Sequence, residues 1–172
     1  MQPMVYWFPV PAAGRLGTMA HPLGGGNLAT ELSGLRAAGV DVLISLLGAP
    51  EQKDLGLGNE PDLAHAAGMA FRALPIYDFA TPPLNSATAA FVAEIVEDLV
   101  AGRSVAIHCR MGIGRSSTIA ACALCALGLT PAEAITRISQ ARGRRVPDTI
   151  EQRRWIDRFA YDWPHIRPTH TE

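Results

Sequence analysis

The stretch from Ser104 to Ser116, Ser-Val-Ala-Ile-His-Cys-Arg-Met-Gly-Ile-Gly-Arg-Ser, constrains the fold of this chain more than any other. Ser104-Val105-Ala106-Ile107 is a short apolar run of the buried-strand type. His108 to Ser116 then form a short loop with two glycines, Gly112 and Gly114, which permit turns that a Cβ would obstruct. The residues that follow, Ser116 to Leu124, read as a helix. A buried strand that turns straight into a helix belongs to a layered architecture in which strands and helices alternate.

The rest of the chain keeps that alternation. Val5–Phe8 and Leu16–Met19 are read as two edge strands. Leu28, Leu32 and Leu35 fall at helical spacing, with Gly39 as the stop. Val40–Leu46 is read as a strand, Gly48–Gly58 as a loop and Pro61–Ala67 as a short helix. Met69–Leu74 is the next strand. Asn85 or Ser86 caps a helix whose apolar stripe is Phe91, Ile95, Val96, Leu99 and Val100, ending at Gly102. Thr130-Pro131-Ala132-Glu133 is a capping box with proline in the first turn, a strong helix start. A last helix, roughly Thr149–Tyr161, places Ile150, Trp155, Ile156 and Phe159 near one face. The expected fold is α/β: a single domain with a central, mostly parallel sheet flanked by helices on both faces. At 172 residues the chain is most simply one domain, long enough to bury a core.

The glycine loop carries chemistry. Five residues separate Cys109 from Arg115, few enough for the chain to curl and aim successive backbone N–H groups at one centre. The loop precedes a helix N-terminus, where the dipole and the free N–H groups favour an anion. A thiol attacks only as thiolate, and those N–H groups together with Arg115 favour that form. The planar fork of Arg115 matches two phosphoryl oxygens, a geometry that lysine lacks. Ser116 can donate a hydrogen bond to the sulfur and ease its departure, and His108 is read as a brace for the loop. Cleavage of a phosphate ester also needs an acid for the departing oxygen. Asp78, in Pro75-Ile76-Tyr77-Asp78-Phe79-Ala80-Thr81-Pro82-Pro83, fits that role on a stiff, non-helical loop. The alternative for Asp78 is a turn or capping residue.

His-Cys-x5-Arg-Ser resembles the signature loop of the cysteine-dependent protein tyrosine phosphatase superfamily, in its small dual-specificity branch. The resemblance covers roughly Gly39 to Phe159, a catalytic core at about 39–159, and extends to Asp78, since the general-acid loop of this family reads Pro-Ile-x-Asp followed by a proline. It implies a phosphocysteine intermediate on Cys109. Arg110, Met111, Gly112, Ile113, Gly114 and Arg115 would bind the phosphate, with Asp78 as acid. Related phosphatases also carry a Pro…Glu-Gln segment, here within Val146-Pro147-Asp148-Thr149-Ile150-Glu151-Gln152. That makes Gln152 a candidate for orienting the attacking water, against the alternative of a solvated glutamine on a first helical turn. This chain departs from the common Arg-Pro-Gly spelling of the segment.

The expected function is phosphomonoester hydrolysis on phosphotyrosine, and on phosphoserine and phosphothreonine, in proteins. Relatives that cleave phosphoinositides often carry two lysines within the loop, where this chain has Arg110 and Ile113; an inositol-phosphate or phosphoinositide substrate is the alternative. A rhodanese-like sulfurtransferase and a phosphate-reading module without turnover are the other classes. The chemistry requires no metal and no cofactor. Net charge is −1, which suggests neither a nucleic-acid nor an anionic-membrane partner. The partner is a phosphorylated protein or a small phosphoester, with the oligomeric state open. Lys53 is the only lysine among 15 basic residues, the mark of a G+C-rich, bacterial coding sequence. The N-terminus lacks the pattern of a signal peptide, and the apolar run after Cys109 is too short to span a bilayer. Three cysteines without such a signal fit a reducing cytoplasm. Cys122 and Cys125 are read as small core residues rather than a zinc or redox pair.

Overall fold

Ser104–Cys109 (β5) forms the middle strand of a five-stranded sheet in a computed structural model that describes residues 4–169. The other strands are Tyr6–Phe8 (β1), Arg15–Ala20 (β2), Val42–Ser45 (β3) and Ala70–Ala73 (β4), and the order across the sheet is β1-β2-β5-β3-β4. β2, β5, β3 and β4 run parallel, and β1 closes one edge antiparallel to β2. The fold is the expected α/β domain with a mostly parallel, helix-covered sheet.

The helices are Leu28–Ala37 (α1), Ala49–Asp54 (α2), Glu60–Ala66 (α3), Ser86–Val100 (α4), Arg115–Ala126 (α5), Pro131–Arg142 (α6) and Ile150–Ile166 (α7). Strand side chains alternate between the two faces of the sheet. Val105 and Ile107 join Leu16, Val42 and Ile44 in a core with residues of α4 to α7. Ala106, Met19 and Leu43 face the other way, into a core with Leu28, Leu32 and Leu35 of α1 and Ala64 of α3. All six residues of β5 are buried, as are the first ten of α5, which packs against α4, α6 and α7. The strand–loop–helix unit therefore lies at the centre of the molecule, where truncating one large apolar side chain costs about 2–5 kcal/mol.

Local signals hold where they were strongest. Asn85 is the cap of α4, its Oδ1 accepting from Thr88 N at 3.0 Å. Thr130 and Glu133 form the reciprocal capping box of α6, with Glu133 Oε2 accepting from Thr130 N at 2.8 Å. On α7, Trp155, Phe159 and Trp163 stack at four-residue spacing, with ring centroids 5.5 and 5.4 Å apart.

Four expectations fail for identifiable reasons. β2 is an inner strand, not an edge, because β1 pairs along its far side and completes the sheet. Gly48–Gly58 is not all loop: Gly48, Pro50 and Glu51 start the short helix α2, which buries no residue and so shows no apolar stripe. The stripe of α4 is rotated, with Val92 buried and Val100 exposed, because Thr88, Ala89, Ile95 and Leu99 set the inward face. On α7, Ile150 points to solvent, and the helix continues past Tyr161 to Ile166.

Candidate active site

Cys109 ends β5, and the registers Ala20↔Cys109 and Ser45↔His108 place it at the carboxyl ends of three parallel strands. Open α/β sheets bind ligands at that end. From there the chain folds tightly over β2. Gly112 has φ +70°, and a Cβ on it would lie 2.4 Å from the carbonyl carbon of Met19, so only glycine fits. The outer side of the loop is tied down by Arg142, whose Nη2 donates to Met111 O at 3.2 Å and whose Nε donates to Gly112 O at 3.3 Å. The Arg142 guanidinium also lies 4.2 Å from the centre of the Tyr6 ring. With those carbonyls turned outward, the amides of Met111 to Gly114 have no protein acceptor among the described residues. Carbonyls on one side and free N–H groups on the other make an anion-binding nest. Arg115 opens α5, so the helix N-terminus adds to the same field.

Arg115 is only 1% exposed and is held by α2 and by the loop after β4. Its Nη1 donates to Glu51 Oε2 at 2.7 Å and to Ile76 O at 2.8 Å, and its Nη2 donates to Glu51 Oε1 at 3.0 Å. Nη2 also lies 3.0 Å from Asp78 Oδ1. Its buried Nε has no hydrogen-bond partner among the described residues, a donor left for another acceptor. Burial opposes the positive charge, but Glu51, Cys109 and Asp78 outweigh it and hold the guanidinium above its ordinary pKa. The same hydrogen bonds from Arg115 hold the Glu51 carboxyl below its ordinary value, against a smaller effect of burial.

The loop after β4 brings Asp78 to this cavity. Its side chain is 43% exposed, and Oδ1 also accepts from Phe79 N at 3.0 Å. Phe79 has φ +61°, a left-handed conformation rare for an aromatic residue. Tyr77, Phe79 and Met111 are exposed large side chains on the loops around the opening. Cys109, Asp78, Phe79, Arg110, Met111, Ile113, Gly114 and Asp148 line a cavity of about 160 Å³. That is smaller than the roughly 300–1,000 Å³ of pockets for drug-sized ligands.

The remaining expected residues differ in what they meet. Ser116 Oγ lies 3.4 Å from Cys109 Sγ, both buried. The His108 ring meets α3 rather than the loop, with Nε2 2.7 Å from Glu60 Oε1 in a fully buried pair. Gln152 is not solvated: it is fully buried, and its Oε1 accepts from Thr149 N at 3.2 Å in the cap of α7. Its Nε2 donates to Ala80 O at 3.4 Å, so α7 is linked to the loop that carries Asp78. Cys122 is wholly buried and Cys125 largely so. Burial raises both thiols, that of Cys125 to about 12 with a contribution from Asp157, which leaves neither as a thiolate.

Three residues of the site escaped the sequence. Glu51 lies in the segment read as a loop, where Gly48-Ala49-Pro50-Glu51 was the available helix-start signal. Glu60 looked like one more acidic residue of a first turn. Asp148 precedes the Thr149–Gln152 capping box, where nothing local sets it apart from an ordinary residue ahead of a helix. Its Oδ2 lies where it would sit 2.5 Å from a Cβ on Gly114. Its carboxyl is raised above the ordinary value, mainly by burial and further by Asp78, while Arg144 and Arg115 pull the other way.

Comparison with known proteins gives the family and the fold. A family model described as a polymorphic toxin system DSP-PTPase phosphatase matches residues 16–129. Cyclin-dependent kinase inhibitor 3 of Rattus norvegicus is 29% identical over 139 residues, covering 77% of this chain and 63% of the relative, so the chain spans less than two thirds of that protein's length. Among solved structures, kinase associated phosphatase with its catalytic site cysteine substituted by serine superposes with a TM-score of 0.84 at 22% identity. That match covers 96% of this chain and 98% of the other. PTPMT1 in complex with PI(5)P gives a TM-score of 0.71 at 22% identity, covering 92% and 97% of the two chains. At these identities the structural likenesses speak for the fold.

Proposed function

The chain belongs to the DSP-PTPase family, the small dual-specificity branch of the cysteine-dependent protein tyrosine phosphatases, and on that premise we propose that it dephosphorylates phosphotyrosine, phosphoserine and phosphothreonine in proteins through a phosphocysteine on Cys109. The Cys109 thiolate attacks phosphorus while Asp78 protonates the departing oxygen. Arg115 and the amides of Arg110 to Arg115 hold the equatorial oxygens, where negative charge is spread in the transition state. Ser116 steadies the sulfur as it leaves. Water then hydrolyses the intermediate, with Gln152 keeping the acid loop in place beside α7.

The observation that carries this reading is the single small cavity that Cys109, Asp78 and the loop amides share. Its small volume suits a phosphoryl group without a deep aromatic slot, which is why side chains of different length are admitted. The exposed Tyr77, Phe79 and Met111 offer apolar contact to a peptide more readily than to a polyhydroxylated ring. The likeness to PTPMT1 keeps inositol phosphates as the second reading. No helix among the described residues is long and apolar enough to cross a membrane.

Steady-state hydrolysis of p-nitrophenyl phosphate is the first test. Cys109→Ser should lower turnover by about a thousandfold or more; undiminished turnover would remove Cys109 from the mechanism. A panel of phosphotyrosine peptides, phosphothreonine peptides and inositol phosphates then separates the two substrate readings.

A further inference from the structure

Two carboxylates, not one, line the Cys109 cavity, and they come from different parts of the chain. Asp78 arrives on the loop between β4 and α4, Asp148 on the connection between α6 and α7. Their surroundings differ. Oδ1 of Asp78 is engaged by Arg115 Nη2 and by Phe79 N. Among the described residues, no hydrogen bond or ion pair holds the carboxylate of Asp148, although Arg144, Arg145 and Arg153 line the neighbouring cleft with it.

The position of Asp148 is tied to the phosphate loop through Gly114. A Cβ there would meet Asp148 Oδ2 at 2.5 Å, Gln152 Nε2 at 3.0 Å and Gln152 Oε1 at 3.1 Å. An acidic oxygen and an amide thus converge on the last residue before Arg115, and the missing Cβ is what lets them approach. Gln152 spends its own polar atoms on Thr149 and Ala80, so of the two only Asp148 has a free acceptor facing the cavity.

Resting on the phosphatase reading of Cys109, we infer that Asp148 is a second proton-transfer residue of this site, acting on the water that hydrolyses the phosphocysteine. In that step a water O–H bond breaks, its oxygen bonds to phosphorus and the P–S bond breaks. The electron pair returns to sulfur as the Cys109 thiolate, and the proton goes to the Asp148 carboxylate and from there to solvent. Asp78 keeps the first step, in which it faces the departing oxygen. The elevated proton affinity of Asp148 suits a base: burial and the charge of Asp78 strengthen it, and Arg144 and Arg115 moderate it.

The test is pre-steady-state hydrolysis of p-nitrophenyl phosphate by the full chain. Asp148→Asn keeps the shape of the side chain and removes the base. The expected result is an undiminished first turnover, a burst of one nitrophenolate per enzyme and a steady-state rate about tenfold lower. A base must be deprotonated to act, so wild-type turnover should fall as pH drops through the raised pKa of Asp148, and Asp148→Asn should lose that limb. Asp148→Glu should restore both the rate and the limb. An unchanged steady-state rate overturns the inference. So does an equal loss in the first turnover, since that is the mark of a distorted or weakened binding site. Failure of the phosphatase reading looks different: wild-type protein itself would release no phosphate.

Discussion

The two loops that meet at Cys109 are built on opposite terms. Apart from Arg110 and Met111, the phosphate loop is buried, pinned by Gly112 against Met19, by Arg142 on its outer carbonyls and by α5 behind it. The acid loop stands in solvent: Tyr77 and Phe79 are exposed, and Asp78 is held by Arg115, its own neighbour's amide and the distant tether of Gln152 to Ala80. A fixed cradle suits charge that must meet preorganised dipoles. A looser donor suits a proton that has to reach leaving groups of different length. The contrast teaches that, on the proposed mechanism, rigidity is placed where the phosphate would stay and withheld where the substrate would change.

Gly112→Ala attacks the rigid side and should have the largest effect. The new Cβ meets backbone rather than a yielding side chain, at a φ that costs alanine about 1–2 kcal/mol by itself. Displacement of the loop by an ångström should lower hydrolysis by about a hundredfold, and thermal unfolding should shift down with it. Full activity in this variant would mean that the loop is as adaptable as its partner.

Asp78→Asn probes the looser side. Alkyl phosphates, which need a proton on the departing oxygen, should slow by about a hundredfold, and activated aryl esters by much less. Equal losses on both would erase the difference in role between the two loops.

Glu51→Gln should have the smallest effect, because it touches neither loop's backbone, only the Arg115 side chain that lies between them. The variant keeps the shape but exchanges a charged pair with Arg115 for a neutral one, a difference of about 1 kcal/mol, or roughly fivefold in activity. Arg115 holds the Glu51 carboxyl below its ordinary value, so the pair's contribution to stability is complete at neutral pH. It is lost as pH falls through that lowered value. Denaturant midpoints of wild type and Glu51→Gln should therefore converge in acid; a gap that persists would mean that the charge of Glu51 does not matter.

Legibility followed sequence distance. β5, the glycine loop and α5 are contiguous, and each is specified by its own residues: an apolar run, two glycines and a small-residue helix. Cys109, Arg115 and Ser116 could be placed from spacing alone. Asp78 needed the knowledge that catalysis requires an acid, because nothing local marks it apart from other loop aspartates. Glu51 stayed hidden because α2 buries nothing and leaves no periodicity to read. Asp148 and Gln152 became a pair only through the space that Gly114 leaves free.

The sequence by itself determined the candidate nucleophile, the loop that holds it and the α/β alternation, since these depend on backbone preferences and spacing within about a dozen residues. Only the tertiary structure decided which carboxylates attend them. Parallel strand order brings Glu51 and Asp78, which follow β3 and β4, to the same end of the sheet, and the connection between α6 and α7 adds Asp148 to the cavity there. Burial raises the carboxyl of Asp148, and Arg115 lowers that of Glu51. Charges act through space, so their roles are fixed by distances that no stretch of sequence contains.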